Sequence, residues 1–572
     1  MQLALFIAIS SSSSAMTTFG SMATKGQLLL NALKVYWRTL FVVAYPLVLL
    51  PVFVCYNTAA QRCLYVVLLM AGYWVFEALP LPVTSLIPMV LFPLMGVLDS
   101  DKVSLCYLKE TNMMFVGGLV IAIAVEHCNL HTRVALYVIK LVGCSPRRLN
   151  IGLVTVTMFV SMWISNTAAT AMMIPIIEAT LTELEQQGIG EMYESNELEG
   201  QKMLEQPEPE TKRPTRTTMC YFISTAYAAS IGGSGCIIGS GTNLTFKGLY
   251  ETLFPDSPGV EFTKWMILNV PVMLIIMYLS VVWLQFWYMG LFRPNSVDAK
   301  KIRVGTQGET VARKLISQKI SEMGPMSFHE KAVGLCFLLS IVLWFFRKPQ
   351  FIVGWAELIT QHKVRDATAA LIVVFLLFMI PSRPDFVYIF SRDESKRPKA
   401  PSPALVTWKV IQQKMPWGLI FLLGGGFALA EASKVSGMSH MIAEHLRGIT
   451  SLPRFYVMLI SCLMATLLTQ FSSNVAVANV VLPVLAEMSV LAKVHPMYLM
   501  MPASLCCSFA YCLPVSSPPN AIAAAPCNMP STEMSKVGLG MVFISLAVLF
   551  LVFPFYGPVI WDLNTFPDWA VE

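Results

Sequence analysis

Charge is what this 572-residue chain has least of: only 13% of it is Asp, Glu, Lys or Arg. A soluble globular chain carries about 25%, and half that density leaves too little charge to cover a water-facing surface. A soluble multidomain enzyme and a disordered or fibrous chain are thereby excluded, and a polytopic membrane protein is indicated. There is no basic stripe either. The 40 Lys and Arg exceed the 34 Asp and Glu by 6 and are scattered over connecting segments, which argues against a nucleic-acid partner. Thirteen cysteines show neither zinc spacing nor a paired framework; most, such as Cys55, Cys220, Cys462 and Cys512, lie in apolar runs where a thiol acts as a small hydrophobe. The stretch Met1 to Ser14 lacks the basic start of a signal peptide and reads as a tail. No HExxH, carboxylate cluster or nucleotide-binding loop occurs, so a membrane-embedded enzyme, the reading from another class, has no catalytic constellation and no cofactor site.

What is abundant is apolar sequence, at 55%. A spanning helix needs about 20 mostly apolar residues. Runs of about that length begin near Leu40, Leu64, Val83, Met113, Tyr221, Trp265, Ala332, Ala367, Gly418, Met497 and Val537, which predicts eleven crossings. Two further stretches, 150–182 and 454–491, are too long for one crossing and are interrupted midway by a Ser-Asn pair, as re-entrant hairpins would be. An N-terminus inside the cell puts Lys25, Lys34, Arg38, Arg133, Lys140, Arg147, Arg148, Lys300, Lys301 and the seven basic residues between Arg383 and Lys414 on the cytoplasmic side. The tail with Asp562, Asp568 and Glu572 then falls outside, in accord with the positive-inside rule. The Pro- and Glu-rich stretch 183–217 reads as a flexible connector.

An internal repeat carries the chemistry. Ser165-Asn166-Thr167-Ala168 is followed by Pro175, and Ser473-Asn474-Val475-Ala476 by Pro483, nine residues after the Asn in each case. Ser161 and Thr469 stand four residues before the two serines, and Gly118 and Gly426 stand 48 before the two asparagines. Downstream, Gly239-Ser240-Gly241-Thr242-Asn243 matches Ser516-Ser517-Pro518-Pro519-Asn520. The predicted crossings give the two copies opposite polarity, an inverted-topology repeat whose broken helices meet near the bilayer midplane. Backbone freed at such breaks must line a polar cavity. Freed helix N-termini favour an anion, and carbonyls and hydroxyls at the same breaks suit a hard cation such as sodium.

These residues resemble a known family. Ser161-Met-Trp-Ile-Ser-Asn-Thr167, Ser230-Ile-Gly-Gly233, Trp417-Gly-Leu-Ile-Phe-Leu-Leu-Gly-Gly-Gly-Phe-Ala428 and Leu513-Pro-Val-Ser-Ser-Pro-Pro-Asn520 are similar to the sodium/di- and tricarboxylate cotransporters among the divalent anion/sodium symporters. Cys144-Ser-Pro-Arg-Arg148 and Asn243-Leu-Thr-Phe-Lys-Gly248 resemble its insect INDY-type members. The resemblance implies an all-α homodimer in the plasma membrane, each protomer with a scaffold domain and a transport domain that moves like an elevator. Applied to this chain it predicts a tail (1–39), scaffold helices (40–149), a first transport half (150–290, with hairpin 150–182, acidic loop 183–217 and broken helix 218–250) and a basic connector (291–331). Further scaffold helices (332–432), a second transport half (433–556, with hairpin 454–491 and broken helix 497–530) and an extracellular tail (557–572) follow. The implied substrates are Krebs-cycle anions such as citrate and succinate, moved with sodium or in sodium-independent, proton-linked exchange; sulfate is the alternative cargo. The resemblance implies Ser165, Asn166, Thr167, Ser240, Gly241, Ser473, Asn474, Val475, Ser517 and Pro518 as substrate contacts. It implies Ser161, Ser165, Asn166 and Gly239 as one sodium site, with Thr469, Ser472, Asn474 and Ser516 as the other.

Three positions depart from the family pattern. Val475 replaces a Thr, which removes a hydroxyl and favours a larger substrate such as citrate. Thr242 replaces a Pro and loosens the first break. Lys247, one helical turn after Asn243, offers a fixed ammonium that could compensate substrate charge. Glu77, Glu126 and Glu431 lie in or near spans, and Asn243-Leu-Thr245, the one glycosylation sequon, falls on the expected site.

Overall fold

The computed structural model describes residues 25–143, 145–186, 192–193, 214–301, 306–347, 353–388, 397–398, 400–445, 448, 452–526 and 529–570. The tail Met1 to Ser14 and most of the acidic connector 183–217 lie outside them. The chain divides into residues 1–50 and residues 51–572. The first unit is described by a single helix, α1 (Lys25–Leu49). All that follows belongs to the second.

A chain with this little charge can satisfy its backbone in lipid only within helices or a closed barrel. Among the described residues the answer is helical: strand pairing is confined to two isolated bridges, Tyr193 with Pro214 and Pro381 with Ala404. Eight described helices are long and apolar enough to cross a membrane. Every predicted starting point falls in a helix, although not all those helices are full length. After α2 (Ala59–Phe76) the third apolar run breaks into Leu81–Thr84 and Ile87–Leu94, because Pro82 and Pro88 suit first turns and not a helix interior. α3 (Glu110–His127) follows.

The first predicted hairpin is α4 (Pro146–Ser161) and α5 (Asn166–Gln186), joined through residues 162–165. It starts four residues earlier than the predicted 150, since Pro146 supplies a first-turn proline behind Ser145. Next come α6 (Arg216–Gly232) and α7 (Gly241–Leu253), the two pieces of the first broken helix, with one turn of 3₁₀ helix, Ile237–Gly239, between them. The long α8 (Phe262–Met289), then α9 (Phe328–Phe345), α10 (Asp366–Met379) and α11 (Trp417–Ser436) lead to the second copy. There α12 (Arg454–Thr469) and α13 (Asn474–Leu491) form a hairpin through residues 470–473. α14 (Pro496–Cys506) and α15 (Pro518–Ala524) flank the 3₁₀ turn Pro514–Ser516, and α16 (Ser531–Trp561) runs into the predicted tail.

The copies interlock. α5 and α6 of the first pack against α15 of the second, and α7 packs against α13 and α14. α6 and α14 are buried along almost their whole length, which explains how short helices with polar breaks survive in so apolar a chain: the other copy surrounds the freed backbone.

Candidate functional site

Each copy is held at its break by the same bonds. The Ser161 hydroxyl donates to the Ala229 carbonyl at 2.7 Å and lies 2.9 Å from Asn166 Oδ1. In the second copy, Thr469 Oγ1 donates to the Cys507 carbonyl at 2.6 Å and lies 2.9 Å from Asn474 Oδ1. Asn243 Nδ2 donates to the Gly233 and Cys236 carbonyls at 2.8 and 2.9 Å; Asn520 Nδ2 donates to those of Ala510 and Leu513 at 2.8 and 3.1 Å. These carboxamides replace the helical partners lost at the breaks. Asn243, the sequon asparagine, is fully buried in doing so.

Between the breaks lies a pocket of about 360 Å³. Ser165-Asn166-Thr167, Ser240-Gly241-Thr242, Ser473-Asn474-Val475 and Ser517-Pro518-Pro519 all line it. These are the capping and first helical residues of α5, α7, α13 and α15, so four helices begin at one cavity. The N-terminus of a full helix carries about +0.5 elementary charge, so α5, α7 and α13 together favour an anion, and the seven-residue α15 adds less. The contributions are unequal: Pro518 and Pro519 have no N–H to offer, whereas Gly241 and Thr242 keep theirs. Among the described residues no Lys or Arg lines the pocket. The Ser517 hydroxyl is buried without a hydrogen-bond partner, as are Ser472 Oγ, Asn243 Oδ1 and Asn520 Oδ1. Such orphans are costly in a low-dielectric interior unless a bound species meets them.

The structure thus brings all ten sequence-predicted contact residues to one cavity. Of the predicted cation ligands, Ser165, Asn166, Gly239, Asn474 and Ser516 also line it, while Ser161, Thr469 and Ser472 do not. Asn166 Oδ1 faces Ser161 Oγ and the Ala229 and Gly239 carbonyls, a cluster of acceptors; turned over, the amide would donate to them at 2.9, 3.1 and 3.3 Å. A Cβ on Gly239 would stand 2.7–3.1 Å from the carbonyl oxygens of Gly233, Met162 and Ser161, so more oxygens converge there. Ser161 has one proton for two acceptors. A hard cation among these oxygens would satisfy the rest with the amide oxygen inward. The second copy poses the same shortage at Thr469.

Sequence reasoning missed Glu77, Leu81, Leu419, Val515 and Ala521 on the pocket wall. Glu77 and Leu81 come from outside the repeat and no motif marks them, whereas Leu419 and Val515 stand within segments quoted for the resemblance. Ser230 and Thr242, also on the wall, stood within motifs already recognised.

Lys247 requires a correction. It neither lines the pocket nor reaches an interface: it is 3% exposed. Its Nζ donates to the Val260 carbonyl at 2.8 Å and to Asp366 at 3.1 Å, and lies 2.9 Å from Glu251. Arg347 Nε meets Asp366 at 2.6 Å and Arg365 meets Glu251 at 3.1 Å. The ammonium is matched by carboxylates of the protein and has no charge left for a substrate. Spacing from Asn243 placed it one turn along α7, but spacing could not show that the first turn of α10 brings Asp366 beside it. Breaking a buried pair costs about 3–5 kcal/mol, so Lys247→Met is expected to cut the amount of folded protein severely. Lys247→Met/Glu251→Gln restores the charge balance and leaves half-exposed Arg365 to water; it should recover most of that yield by size-exclusion of the detergent-extracted chain. Equal yields for both variants would contradict the pairing. Glu126 and Glu431 are likewise partnered, by Lys414 at 2.6 Å and Lys109 at 3.9 Å.

An all-helical membrane chain whose repeated hairpins and broken helices enclose an anion-favouring pocket defines a multi-pass membrane transport protein. Residues 32–563 match the family described as "Sodium:sulfate symporter transmembrane region", and the chain belongs to that family. It is 47% identical over 540 residues to "Protein I'm not dead yet" of Drosophila melanogaster, covering 94% of this chain and 91% of that one. It is 39% identical over 553 residues to the "Na(+)/citrate cotransporter" of Rattus norvegicus (92% and 95% covered). To the "Na(+)/dicarboxylate cotransporter 3" of Mus musculus it is 37% identical over 567 residues (93% and 94% covered). The family is one of transporters, which points away from an enzyme.

Proposed function

We propose that this protein is a secondary active transporter that carries di- and tricarboxylate anions together with sodium. The observation that carries the reading is the convergence of four helix N-termini, lined with Ser, Thr and Asn, on a pocket that no Lys or Arg lines among the described residues. Neutral dipoles hold the carboxylates, and sodium ions at the oxygen clusters of Ser161–Asn166–Gly239 and Thr469–Asn474 supply the integral positive charge. Ser165, Asn166, Thr167, Ser240, Gly241, Ser473, Asn474, Val475, Ser517 and Pro518 contact the substrate. Relatives named for citrate and dicarboxylates support this cargo over the sulfate of the family description. Labelled citrate uptake into cells expressing the chain should be inhibited by succinate and not by sulfate; the reverse order would favour a sulfate carrier.

The two hairpins open to opposite faces, and the transport halves (150–290 and 433–556) carry the pocket across the bilayer against the scaffold helices, as an elevator within a homodimer. The plasma membrane houses the carrier in this reading, and the basic connectors support a cytoplasmic N-terminus and a C-terminus outside.

Val475 tunes the preference. A Cβ on Gly241 would lie 3.0 Å from Val475 Cγ2, so the valine presents its methyl groups where α7 begins. Val475→Thr is expected to shift relative uptake of succinate over citrate upward by several-fold, since a hydroxyl replaces a methyl at the anion. An unchanged ratio would remove Val475 from the selectivity argument.

A further inference from the structure

Among the described residues that line the pocket, Glu77 alone is ionisable. It stands at the end of α2 with φ 46, a left-handed conformation rarely taken by a residue with a side chain and concentrated at functional sites. Among the described residues no hydrogen bond or ion pair holds its carboxylate. Its side chain is exposed, yet a glycine or asparagine would end the helix with less strain, and an anion carrier has no evident use for a carboxylate on the wall of its pocket. Together these features call for a role that needs the negative charge itself.

We propose that Glu77 is a specificity-determining residue that sets the charge its pocket accepts. This role rests on the carboxylate-carrier reading, and its basis is electrostatic. Each carboxylate of a substrate meets Glu77 as a like charge, so the penalty grows with the number of ionised groups. Helix dipoles and cations balance a dianion; the third charge of a tricarboxylate finds no further partner and meets Glu77. Val475 admits the larger molecule by size, while Glu77 holds back its fully ionised form. One extra like-charge pair across a solvent-accessible site corresponds to about three- to ten-fold in relative affinity.

The test uses the full-length chain in cells, at alkaline pH and fixed sodium. Uptake of labelled succinate is inhibited by unlabelled succinate or citrate, and the ratio of the two half-inhibiting concentrations is read, so that surface abundance cancels. Glu77→Gln removes the charge. Glu77→Gly removes it too and accepts the left-handed backbone, which covers the case in which the glutamine variant fails to fold. Both are expected to move the ratio toward citrate by about three- to ten-fold. An unchanged ratio in variants that still carry succinate overturns the proposal. Loss of succinate uptake in both also overturns it, because Glu77 would then be a structural cap. A wild-type chain that takes up neither anion defeats the carboxylate reading and, with it, the inference.

Discussion

A Gly233→Ala chain is expected to reach the membrane and carry less than about a hundredth of wild-type uptake. A Cβ at this position would stand 2.1 Å from Asn166 Oδ1 and 2.9 Å from its Cγ. The neighbour is no free side-chain end, because Asn166 begins α5 and its carboxamide is lodged against Ser161 and Ala229. Relief would swing that carboxamide out of both the oxygen cluster and the pocket wall, and a displacement of this order costs about two decades in rate. The repeat supplies a control. Asn243 bonds to the Gly233 carbonyl as Asn520 bonds to that of Ala510, so position 510 already tolerates a methyl group. Ala510→Gly should therefore retain most of its uptake. Two variants of equal activity, assayed at matched surface abundance, would show that the close approach at Gly233 does not govern transport.

The second large effect is expected at the paired hydroxyls. Ser161→Ala and Thr469→Val each remove a hydroxyl oxygen while leaving the Ala229 or Cys507 carbonyl buried. The lost ligand and the orphaned acceptor together cost about 1–3 kcal/mol. Half-maximal sodium for citrate uptake should rise about ten-fold in each variant, and further in the double variant. Neither hydroxyl lines the substrate pocket, so the apparent affinity for citrate at saturating sodium should move much less. Thr469→Ser keeps the oxygen and should stay near wild type. A rise in half-saturating citrate with unaltered sodium dependence would place these hydroxyls in the wrong role.

Particular residues show what the sequence could reveal. The Ser-Asn pairs, the hydroxyls four residues before them and the matched breaks were legible because each half repeats the other's defects in a helix, and such defects must line a polar cavity. The third apolar run was counted as one crossing, and the break at Pro82 and Pro88 into two short helices was not foreseen. Glu77 and Leu81 were not legible as pocket residues, since they reach the cavity through packing between distant segments and share no spacing with the repeat. Lys247 misled for the same reason: helical periodicity located it on α7, but the carboxylate of Asp366 that holds it is 119 positions away in the chain.

A pocket with no Lys or Arg among its described lining residues borrows its positive charge from sodium. Uptake of labelled citrate and succinate with sodium replaced by choline, at two pH values, tests it most directly. The account predicts loss of uptake of both anions at both pH values, restored by returning sodium. Uptake indifferent to sodium and rising with acidity would contradict it and make the protein a proton-linked carrier or an exchanger.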